Sequence, residues 1–158
     1  MTGDLVAFLR ARLDEDALWA NEASRCRGNL PPDGAHWQWE DCETDQPVTV
    51  DPGADDVLFG VGLRSVEQYP YTAISGVGPQ LAVSPDEIDA AVAGHIARND
   101  PARVLAEVDA KRRILNHLVW ATTPGHTVYA GPASVMMTWL AIPYRGHPDY
   151  QPAWAPGA

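Results

Sequence analysis

Between residues 36 and 83 the chain runs in short alternating apolar and polar stretches separated by turn residues, and that pattern leaves few folds open. His36-Trp37-Gln38-Trp39 places both tryptophans on one face of a strand. Pro47-Val48-Thr49-Val50 is a second run, stopped by the turn signal Asp51-Pro52-Gly53. Val57-Leu58-Phe59-Gly60-Val61-Gly62-Leu63 reads as a third strand. Residues 69–74 and 80–83 add two more, on either side of Ser75-Gly76-Val77-Gly78-Pro79. Strands this close in sequence have no room for the crossover helices that parallel pairing needs, so a small antiparallel meander is expected.

Helical periodicity surrounds this segment, which makes the fold class α+β. Over residues 4–23, Leu5, Leu9, Leu13 and Ala17 recur every four residues, with Phe8 and Leu18 widening the stripe. Ser84-Pro85-Asp86-Glu87 has the form of a capping box, and predicts a helix carrying Ile88, Ala91, Val92, His95 and Ile96 on one face. That helix should stop near Asn99, because a residue before proline avoids the α region. Asp100 then caps a second helix that starts at Pro101, with Val104, Leu105, Val108, Leu115, Leu118 and Val119 as its stripe. Residues 122–132 read as a loop, with Val128-Tyr129 as a short strand inside it. Residues 133–142 read as a short apolar helix, and 144–158 as a proline-rich extended tail. The whole of 1–158 is expected to form one domain.

Composition excludes several functions. The formal net charge is −10, which argues against a nucleic-acid partner, since such binding rests on clustered Lys and Arg. No apolar run approaches the roughly 18 residues of a membrane span. The first ten residues include Asp4 and lack the basic start and uninterrupted apolar run of a signal peptide, so a cytoplasmic location with Cys26 and Cys42 reduced is expected.

Catalytic fingerprints do not emerge. His36, His95, His117, His126 and His147 show no zinc-binding spacing, and no metal or cofactor is implied. There is no Gly-x-Ser-x-Gly elbow, and neither cysteine has an identifiable base. Gly60-Val61-Gly62 lacks the rest of a dinucleotide or phosphate-loop motif. Glu40-Asp41 and Asp55-Asp56 sit in polar, turn-like contexts that suit solvated carboxylates. No catalytic residue is assigned.

Two places remain as candidate ligand sites. At the helix-to-helix junction, Arg98 ends one helix, Asp100 caps the next and Arg103 lies in its first turn. Exposed N–H groups and arginines suit an anion there, with His95 nearby. The structural reading of the same residues is an Arg–Asp pair that fixes the angle between two helices. Trp37 and Trp39, with Tyr69 and Tyr71, can line a groove for a base or peptide, or pack the sheet against helices.

Four blocks together resemble a family of small actinobacterial and actinophage proteins catalogued as domain of unknown function 6221. They are the opening Asp4-Leu5-Val6-Ala7-Phe8-Leu9-Arg10-Ala11-Arg12-Leu13-Asp14-Glu15-Asp16; the Trp37-x-Trp39 pair; His95-Ile96-Ala97-Arg98-Asn99-Asp100-Pro101-Ala102-Arg103-Val104-Leu105, running on through Glu107-Val108 to Lys111-Arg112-Arg113-Ile114-Leu115; and Leu140-Ala141-Ile142-Pro143-Tyr144-Arg145-Gly146-His147-Pro148-Asp149-Tyr150 with Trp154. The chain departs from the family in having Asn99 where histidine is frequent, and in lacking a cysteine-containing insert between the last two blocks. The resemblance implies an actinobacterial or phage origin and no known reaction. The expected function is a non-enzymatic binding protein of phage or mobile-element origin that acts on a host protein or sequesters a small anionic ligand. The alternatives are a small enzyme acting on an anionic substrate, with His95 as acid or base, and a structural virion component.

Overall fold

A computed structural model describes residues 2–24, 35–51, 56–66, 81–83 and 85–156. The elements in chain order are α1 (Thr2–Ser24), β1 (Trp37–Asp41), β2 (Val57–Phe59), β3 (Val61–Ser65), β4 (Leu81–Val83), β5 (Glu87–Asp89), α2 (Ala90–Arg98), α3 (Pro101–Ala121) and α4 (Thr127–Ala141). Short 3-10 turns follow at Ile142–Tyr144 and Pro152–Trp154. The α+β expectation holds, with an N-terminal helix, small antiparallel sheets and then helices. Among the described residues no helix is long and apolar enough to cross a membrane. Two compact units result, one from Met1–Leu18 with Ala106–Ala158, the other from Trp19–Leu105.

In the second unit, β1, β3 and β4 form one antiparallel sheet in that order, while β2 pairs with β5 in a separate ribbon. The expected third strand, residues 57–63, is therefore two strands. Gly60 adopts φ +63, a left-handed conformation that glycine takes without a Cβ clash, and the chain changes sheets there. Pro47-Val48-Thr49-Val50 contributes only an isolated bridge, Glu40 to Pro47, flanked by bonds from the Asp41 amide to the Gln46 carbonyl (2.9 Å) and from the Val48 amide to the Trp39 carbonyl (2.8 Å). Residues 67–80, which include the expected strand at 69–74, lie outside the described residues.

The capping-box reading of Ser84 to Glu87 does not hold for its described part. Glu87–Asp89 finds a strand partner in β2, and tertiary pairing outweighs the local helix signal. Asp89 takes over as N-cap, accepting from the amides of Ala91 at 2.8 Å and Val92 at 3.4 Å. This rotates the buried face of α2. Ala90 and Ala93 are buried, whereas Val92 is half exposed and His95 is exposed. Small residues on that face let the helix approach the sheet, where Trp39, Val61, Leu63 and Ala93 form the core. The Trp39 indole N–H donates to the Ala93 carbonyl at 2.8 Å and ties β1 to α2.

On the other face of the sheet, Glu40 is buried beside Arg64 (3.5 Å) and accepts from the Gln38 amide at 2.7 Å. Asp41 ends β1 in a turn. Its carboxylate accepts from the Thr44 amide, the Thr44 hydroxyl and the Glu43 amide, and these bonds hold its pKa below the ordinary carboxylate value.

The first unit is helical. Leu5, Phe8, Leu9, Leu13 and Ala17 are buried along α1, as the four-residue spacing predicts, but Leu18 is exposed. Val108, Leu115 and Leu118 bury the matching face of α3, and Ala133, Met137 and Ala141 that of α4. Arg112 joins α3 to α1 through Asp14 at 2.6 Å. The helix α4 begins at Thr127, not residue 133, so Val128-Tyr129 is helical and Pro132 lies inside the helix. Pro132 was read as the end of a loop, yet near a helix start proline removes only an early intrahelical bond.

The tail is not a surface wrap. Its two turns fold Tyr144, His147, Tyr150 and Trp154 around Phe8, with ring centroids 4.9 to 6.3 Å from the Phe8 ring. Trp154 is buried. The Tyr144 hydroxyl donates to Asp16 at 2.5 Å. Burial, followed by the bond to Asp16 and the charge of Asp16, pushes the Tyr144 phenol well above its ordinary pKa.

Candidate functional site

The α2–α3 junction is built by side chains that satisfy backbone groups. As expected, α2 stops at Asn99 and Pro101 opens α3. The Asp100 carboxylate accepts from the Arg103 amide at 2.8 Å, so the cap is present and the start of α3 is already occupied by an anionic group. The exposed N–H groups expected there are in part taken up by the protein itself.

At the other side of the junction the last carbonyls of α2 need donors. The Asn99 side-chain amide donates to the His95 carbonyl at 2.7 Å, and the Arg103 guanidinium donates to the Arg98 carbonyl at 3.1 Å. His95 and Arg98 lie in the last turn, where positive charge offsets the negative end of the helix dipole. The junction is therefore held by Arg103 and Asn99 on carbonyls and by Asp100 on an amide. No Arg98–Asp100 ion pair forms among the described residues.

A cleft of about 320 Å³ opens beside this junction, within the second unit. His95, Arg98, Asn99 and Arg103 supply its polar wall, and Val50 and Gly94 its floor. Among the described residues no carboxylate lines it, although the chain as a whole carries 21 acidic residues against 11 basic ones. A Cβ on Gly94 would come within 3.3 Å of the Val50 side chain, so glycine keeps the floor open. Of the eight residues singled out from the sequence, His95, Arg98 and Arg103 meet at this cleft, Asp100 caps the helix next to it, and Tyr69 and Tyr71 lie outside the described residues. Trp39 is buried in the sheet core, and Trp37 packs half-buried against that core; neither lines the cleft.

Sequence reasoning missed Val50, Gly94 and Asn99 as parts of the wall. Gly94 carried a signal: a glycine inside a helix costs about 1 kcal/mol against alanine, which asks for a packing reason. Among the described residues no group of three or more His, Cys, Asp or Glu could hold a metal.

A second cavity, of about 350 Å³, lies in the helical unit beside Trp120, Tyr129 and Met136. His117 and His126 stack on Trp120 at 5.3 and 4.2 Å between centroids. Among the described residues its wall has no Lys, Arg, Asp or Glu to partner an ionic ligand.

The blocks that frame the junction are also blocks of the family resemblance, and a family model bears on them directly. The model of the family of unknown function DUF6221 matches residues 2–156. The chain belongs to that family. No curated protein and no solved structure matches the chain. Membership thus covers both units and the junction without attaching a reaction to any of them.

Proposed function

We propose that the chain is a non-enzymatic binding protein for a small anion held in the cleft beside the α2–α3 junction. One observation carries the reading: a concave site in a chain of net charge −10 is walled by two arginines, a histidine and an asparagine, with no carboxylate among the described residues. Arginine presents planar paired donors that match carboxylate and phosphate oxygens. Arg98 is exposed, and both arginines line the cleft. The floor of Val50 and Gly94 admits a ligand of a few heavy atoms beside those donors.

Binding without catalysis is the favoured form because His95 is exposed and no carboxylate orients its ring among the described residues. Its Nδ1 meets the Asn99 side-chain amide, at 3.4 Å. An acid or base normally stands in a fixed hydrogen-bonded pair. An origin in actinobacteria or their phages and a cytoplasmic location belong to the same proposal and rest on the family resemblance alone.

Calorimetric titration with inorganic phosphate, citrate and a nucleoside monophosphate tests the reading. At least one should bind, with affinity falling as salt rises. Arg98→Ala should weaken it about tenfold, the order expected for one charge-assisted contact. No heat with any of the three, together with no small molecule retained in intact-mass measurements after gentle purification, overturns it.

A further inference from the structure

Residues 114–144 contain no Asp, Glu, Lys or Arg, whereas charged residues make up 20% of the chain. At that average a stretch of this length carries about six, and a solvated surface usually more. The gap includes all of α4. Its apolar residues are not all inside: Val128 is 83% exposed, Val135 48%, Trp139 54% and Ile142, at the C-cap, 41%. These four are spaced at i, i+7, i+11 and i+14. At 3.6 residues per turn they fall within about 60° of one another around the helix axis. They form one seam, with the seven-residue recurrence of helices that pack in pairs.

We propose that two copies of this chain associate through this seam, α4 against α4 in antiparallel register around a two-fold axis near Val135. Charge selects the occupant. With a net charge of −10 on each copy, close approach is opposed across most surfaces and least opposed where no charge stands. A charged partner finds nothing complementary on this face, whereas a second copy brings the same neutral, apolar surface. Isologous pairing needs a surface that matches itself. With Val135 on the axis, Val128 meets the partner's Ile142, and the bulk of Trp139 falls opposite the partner's Gly131. Gly131 has open space where a Cβ would stand, so the large ring faces a gap.

Sedimentation equilibrium on the full chain, over roughly 10 to 300 µM, reads the association directly. The expected mass at the upper end is twice the chain's 17.1 kDa. Raising NaCl should tighten the pair, since salt screens the repulsion between acidic copies. Val135→Glu and Val135→Lys should each raise the dissociation constant at least tenfold, because either sign meets itself on the axis. Val135 is solvent-facing in one copy, and unchanged far-UV circular dichroism will show that the variants fold. Val135→Ala, which adds no charge, should weaken the pair by less. Phe59→Glu, at a residue 65% exposed on β2, should leave it unchanged. A wild-type chain monomeric at every concentration overturns the proposal. So does a dimer that loosens with salt, or one that Phe59→Glu disrupts while the Val135 variants do not.

Discussion

Two tryptophans are almost fully buried, one in each unit, and they are held differently. Trp39 is 1% exposed and its indole N–H reaches the Ala93 carbonyl. Trp154 is 4% exposed and its indole nitrogen has no hydrogen-bond partner among the described residues. The first is both a packing residue and a polar tie between a strand and a helix. The second is packing alone, in a cluster of rings around Phe8. Indole burial without a partner for its N–H forfeits part of what the ring gains, so equal burial does not mean equal contribution.

The largest effect that sharpens the contrast should come from the ring at the centre of the Trp154 cluster. Phe8→Ala removes a side chain touched by four other rings and should cost about 3–5 kcal/mol, read as a lower midpoint in urea denaturation. A loss below about 1 kcal/mol would mean that the tail rings do not depend on it. Next comes the matched pair. Trp39→Phe should cost about 1–3 kcal/mol more than Trp154→Phe, because only the first leaves a buried carbonyl without its donor. Equal losses would erase the distinction between the two tryptophans. Asp100→Ala, which removes the α3 cap, should cost about 1 kcal/mol and leave helix content nearly intact.

The smallest effect concerns pH. The Tyr144 phenol has a raised pKa in the folded chain, so its contribution is fully present below the unfolded value of about 10 and is lost as pH rises beyond it. Absorbance at 295 nm should show one tyrosine ionising later than the others. Tyr144→Phe should remove both that late step and the matching decline in stability.

How much of this was legible in the sequence follows the reach of each interaction. The stop at Asn99, the cap at Asp100 and the start at Pro101 were legible because each involves partners within five residues. Trp39 was legible as an inward-facing ring from alternation, but its bond to Ala93 was not, since nothing local points across 54 residues. The rotation of α2 that exposes His95 was illegible for the same reason: it depends on Glu87–Asp89 pairing with β2. Without that pairing, Ser84 to Glu87 is a good helix start. The tail was misread because prolines were taken as marks of extended chain, whereas Pro143 and Pro152 sit at the beginnings of tight turns. Of the cleft, the charged wall was legible and the floor was not. Gly94 and Val50 become neighbours only once the fold has formed.

The ring cluster around Phe8 also sets an order of events during synthesis. Phe8 leaves the ribosome more than a hundred residues before its partners from Tyr144 to Trp154. The helical unit cannot close until then, and the apolar stripe of α1 must wait or find transient cover. The sheet unit is one continuous stretch and can form while translation continues. A slow stretch of translation after residue 105 would prolong the interval in which α1 lacks its partners, and that interval is when aggregation should compete best with folding.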